Sequence, residues 1–167
     1  MLLTVLLTLI FIASVCLVLL AAVVLIQDKR FFTTAPKDIQ AVAKDHPERF
    51  SGAHALGWTL AALSLVLMIG AFVNGGWNGV KNDYSFWQHW LRFALMLYLW
   101  KVFDIVCLDW LLLTRSHFFQ HFYPETEGCA GYDQFGFNRK EQLIRLVVFP
   151  FAAALMSLLS MWIGGQL

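Results

Sequence analysis

Three ionisable side chains, Lys101, Asp104 and Asp109, fall within the otherwise apolar stretch FALMLYLWKVFDIVCLDWLLL at 93–113. A charge at the centre of a membrane span costs about 2.5–3.5 kcal/mol, so such groups turn away from lipid and are compensated. Lys101 and Asp104, at i and i+3, share one helix side, and the spacing predicts an ion pair or a shared proton. Asp109 matches the depth of Arg145 in the next apolar run, and those two are expected to pair between helices. His54 and Arg115 extend the set at one end. Together Lys101, Asp104, Asp109, Arg145, His54 and Arg115 are the expected lining of a polar cavity, with Ser14 and Ser64 adding hydroxyls near the midplane. Such groups either pin helix packing or line a path for a ligand or protons.

A second set lies in RSHFFQHFYPETEGCAGYDQFGFNRKEQ, at 115–142. His117 and His121 are four residues apart, so a helix continuing through them presents both imidazoles on one face. With Glu125 and Cys129 they offer the nitrogen, oxygen and sulfur donors that suit Zn or Fe. No Glu follows His117, which excludes a metalloprotease helix, and five histidines are too few for a multi-histidine di-iron site. The competing reading makes the many Phe and Tyr residues here an interfacial aromatic belt. Cys16, Cys107 and Cys129 form no CxxC pair, and no glycine-rich phosphate loop or GxSxG nucleophile motif occurs. No motif calls for a cofactor.

The elements that position these residues follow from composition. Of 167 residues 59% are hydrophobic and 14% charged, against about a quarter charged in a soluble domain. The mean hydropathy is +0.65. Twelve Lys and Arg against 11 Asp and Glu leave no basic field for nucleic acid. The apolar residues gather in four runs, which predicts an all-α integral membrane protein with four transmembrane helices in a bundle. The spans are TM1 at 3–26, TM2 at 53–73, TM3 at 86–114 and TM4 at 143–163. Residues 1–27 lack the basic start and short apolar core of a signal peptide, so TM1 is expected to be retained.

The loop at 28–52 carries five Lys or Arg and the segment at 115–142 three, whereas 74–85 carries Lys81 alone. The positive-inside rule then puts both long loops in the cytoplasm and both termini outside, in a multi-pass plasma-membrane protein. Within 28–52, Pro36 starts a short amphipathic helix whose apolar face is Ile39 and Val42, lying on the membrane surface. Gly75, Gly76 and Gly79 mark a turn in the outer loop. The 115–142 segment is a structured cap, and Pro150 removes a backbone donor inside TM4 that neighbouring helices accommodate.

These readings imply a membrane module that binds a lipid-like or small ligand, or a partner, at the polar cavity. A second possibility is a membrane-embedded enzyme acting on a lipid-like or quinone-like substrate. There Asp104 or Asp109 would be the acid or base, Lys101 and Arg145 the anion clamps, and His117 and His121 a base or metal ligands. A third is a protomer of an oligomeric transporter or channel. The expected partners are membrane lipids and a membrane-protein partner or second copy, with no nucleic acid.

Overall fold

A computed structural model describes residues 1–166, and every regular element among them is helical. Helix α1 (Leu2–Leu20) passes directly into a π-helix, Ala21–Ile26. A 3-10 turn at Lys29–Phe32 and α2 (Lys37–Val42) precede α3 (Ala53–Lys81). Helix α4 (Phe86–Phe103) also passes into a π-helix, Asp104–Arg115. Then come α5 (Phe118–Phe122), 3-10 turns at Pro124–Thr126 and Ala130–Asp133, and α6 (Arg139–Ile163). Three helices are long and apolar enough to cross a membrane: Leu2–Ile26, Ala53–Lys81 and Arg139–Ile163. The helical run at 86–115 is interrupted by Arg92, Lys101, Asp104 and Asp109 and is not among them.

The chain divides into two compact units. The first holds Met1–Ser14, Val66–Val102 and the chain from Arg139 onward. Here α3 corrects two expectations, because it runs on to Lys81, and Gly75, Gly76 and Gly79 lie inside it rather than in a turn. The glycines are there for close approach. A Cβ on Gly76 would sit 2.5 Å from the Ser160 Oγ, and one on Gly79 would run into the His89 ring. The bare backbone at these two positions leaves room for the Ser160 and His89 side chains to pack against α3. The reversal falls instead at 82–85, where Asp83 takes a positive φ of 50°. Ser85 then starts α4, its backbone N–H donating to Gln88 Oε1 at 2.8 Å in one half of a capping box.

Pro150 lies within α6, which continues past it to Ile163. Its missing N–H would leave the Leu146 carbonyl without a helix donor. The Tyr98 hydroxyl donates to that carbonyl at 2.9 Å. The Trp90 Nε1 donates to the carbonyl of Pro150 itself at 3.0 Å.

The second unit comprises 15–65 and 103–138. Its two connecting segments, around α2 and α5, fold together into one lobe. Val23, Phe32, Ile39, Ala43, Leu113 and Tyr123 are buried in its core beside Tyr132. Ile39 is fully buried there while Val42 is exposed, which corrects the expectation of a shared apolar face. The physical reason is length. Helix α2 ends at Val42, Ala43 is extended with ψ 137°, and Ala43 rather than Val42 turns into the core. The Gly131 N–H donates to Asp38 Oδ2 at 2.7 Å, an approach that a side chain at 131 would block against Pro36.

Candidate functional site

The site grows from the two π-helical stretches of the second unit. Each closes with an i→i+5 bond: Gln27 N–H to the Ala22 carbonyl at 2.8 Å, and Ser116 N–H to the Leu111 carbonyl at 2.9 Å. π-helices are rare, and they occur frequently at functional sites. The winding has a direct effect on the two aspartates. In an α-helix, positions five apart stand about 140° apart around the axis. Under i→i+5 bonding they stack on one side, so Asp104 and Asp109 line the same cavity.

That cavity has a volume of about 280 Å³. Ala22 and Val23 of the first π-helix and Leu108 and Leu113 of the second form part of its wall. The lobe adds Phe32 and Thr34 from one connecting segment and Phe119 and Phe137 from the other. Apart from Thr34 and the two carboxylates, the lining side chains are apolar. The Asn138 side-chain amide donates to Asp109 Oδ2 at 3.3 Å and fixes one side of that carboxylate.

Long-range polar contacts hold the lobe in place. Gln27, buried and left-handed with φ 52°, ends the first π-helix and donates from Nε2 to the Phe122 carbonyl at 3.1 Å. His46 Nε2 lies 3.0 and 3.2 Å from the two carboxylate oxygens of Glu125, and the Lys44 N–H donates to Oε1 at 2.9 Å. Partial burial pushes the Glu125 carboxyl up. The bonds from His46 and from its own and the Lys44 backbone, with the His46 charge, outweigh that and hold it below the usual range. The Tyr123 ring makes T-shaped contacts with both Phe32 and His46, at 4.6 and 5.1 Å between centroids. Burial first, then the charges of Glu125, Asp28 and Asp45, raise the Tyr123 hydroxyl, so it stays protonated.

The expected site residues are distributed unevenly. Of the six cavity candidates, Asp104 and Asp109 line the cavity, and Lys101, Arg145, His54 and Arg115 do not. Lys101 is buried near the end of α4 and Arg145 is exposed on α6, both in the first unit. His54 opens α3, and its N–H donates to Glu48 Oε1 at 3.3 Å. Arg115 is exposed, its guanidinium 5.8 Å from the centre of the Trp110 ring. Ser14 and Ser64 are buried, but each hydroxyl bonds the carbonyl four residues back in its own helix.

The helix expected to carry both His117 and His121 stops at Arg115, and Ser116 is extended. His117 instead precedes the short α5, whose last turn holds His121, and both are exposed. Glu125 is engaged by His46, and Cys129 is half-buried against the lobe core, where burial and then Asp38 push its thiol up. Among the described residues no three His, Cys, Asp or Glu side chains come together so as to hold a metal ion. The sequence reading missed His46 and Tyr123, because their partners lie in the other connecting segment and no local spacing marks them.

No family model, curated protein or solved structure matches the chain.

Proposed function

We propose that the chain is a four-span membrane protein with both termini outside, and that the cavity at Asp104 and Asp109 holds a lipid-like molecule from the cytoplasmic side. The three long apolar helices support the membrane reading. So does the outward face of α3 and α6, where Val66, Val147 and Phe151 are 66%, 66% and 72% exposed. The run at 86–115 is the fourth span. Its Arg92 and Lys101 are 4% and 1% exposed, so their charges are turned away from lipid.

The carrying observation is that two carboxylates, Asp104 and Asp109, line an otherwise apolar cavity. Carboxylates accept hydrogen bonds, so they suit a head bearing hydroxyl or amine donors, while the Phe, Leu and Val lining suits an apolar body. About 280 Å³ takes a ring or part of an acyl chain rather than a whole lipid. The test is native mass spectrometry of the untagged full chain from mild detergent. The wild type is expected to retain a bound mass. Leu108→Trp, which fills the cavity, and Asp109→Asn, which weakens the acceptor, are expected to lose it. A wild type that retains nothing, or variants that retain the same mass, would refute the proposal.

A further inference from the structure

Arg92 in the first unit is 4% exposed, yet all its hydrogen-bond partners are neutral. Nη1 donates to the Gly75 carbonyl at 2.5 Å, and Nη2 donates to Asn78 Oδ1 at 3.1 Å and the Tyr84 hydroxyl at 3.0 Å. The guanidinium carbon also stands 4.5 Å over the Tyr84 ring. Nε has no partner, and among the described residues no carboxylate forms an ion pair with Arg92. A buried cation without a counter-charge is costly, and neutral acceptors offset only part of that cost. Arg92 also lines a pocket of about 200 Å³. Thr4, Tyr84 and Gln88 bring hydroxyl and amide groups to the pocket, and Leu91 and Leu95 give it apolar sides. Guanidinium is the side chain best matched to a phosphate, and three of its five N–H groups are already committed to holding it in place.

We infer that this pocket is an anion seat in which Arg92 binds a phosphate group, independent of the cavity at Asp104 and Asp109. The apolar sides and the nearby 82–85 turn place the seat where a phospholipid head would reach it, and free phosphate offers the same chemistry. Gln88→Glu gives a selective test. Glu serves the capping box at Ser85 as well as Gln does, while it puts a negative charge at the pocket.

The full chain in mild detergent is titrated separately with phosphatidylglycerol, phosphatidylcholine and inorganic phosphate, and thermal unfolding is followed. Phosphatidylglycerol is expected to raise the Tm of the wild type, and phosphatidylcholine, whose choline offsets its phosphate charge, to raise it less. Gln88→Glu is expected to unfold at a higher Tm without additive and to bind about tenfold or more weakly. Arg92→Gln is expected to lose the response. If it fails to fold, Gln88→Glu decides alone. A shift with inorganic phosphate alone would identify a soluble anion as the source, and a shift with phosphatidylglycerol alone a lipid head, each supporting the seat. No shift with either, or a full shift retained by Gln88→Glu, would overturn it.

Discussion

The Tyr98 hydroxyl donates to the Leu146 carbonyl at 2.9 Å, the carbonyl that Pro150 deprives of its helix donor. A side chain on α4 thus completes the backbone bonding of α6. Tyr98→Phe is expected to cost about 1 kcal/mol, for a part-buried acceptor left unmet. On a Pro150→Ala background, where the helix supplies its own N–H, the same change should cost markedly less. Unfolding of the four proteins in a double-mutant cycle measures the coupling. Strict additivity would show that the two sites are unrelated.

The two buried tyrosines of the lobe should respond differently to loss of their hydroxyls. The Tyr123 hydroxyl has no partner among the described residues, whereas that of Tyr132 lies 2.8 Å from Thr126 Oγ1. Tyr123→Phe is expected to leave stability unchanged or slightly higher, and Tyr132→Phe to lower it by about 1 kcal/mol. Denaturant unfolding of both variants checks the order, and equal losses would contradict it.

Glu125 gives the lobe a defined acid sensitivity. Its carboxyl is held below the ordinary value of 4.5, so the ionised form binds better in the folded state. The resulting stability is fully present above pH 4.5 and lost as the pH falls through the lowered value. Glu125→Gln is expected to be less stable than the wild type at pH 7 and to lose less on acidification. Thermal unfolding across that range is the measurement, and parallel curves would exclude the effect.

The helices were legible in the sequence wherever one run of apolar residues decides the matter, as in Leu2–Ile26 and Arg139–Ile163. Pro150 was legible too, because the missing N–H is a property of the residue itself. Gly76 and Gly79 were not. The same residue type serves a turn or a close helix crossing, and only Ser160 and His89 on other helices distinguish the two. The sequence put Asp104 and Asp109 in one expected cavity, but the winding that stacks them on one side was hidden, because α-helical spacing separates them and nothing in the sequence marks a π-helix. His46 and Glu125 lie 79 residues apart, beyond any local pattern.

The lobe's construction also governs when it can form during synthesis. Gln27 needs Phe122, Asp38 needs Gly131 and His46 needs Glu125, contacts across 95, 93 and 79 residues. At about 5–20 residues per second, the ribosome delivers Glu125 roughly 4–16 s after His46. Through that interval Ile39 and Phe32 have no finished core to enter. The first connecting segment must therefore wait, a nascent half-domain, until α3 and the helical run after it have been made.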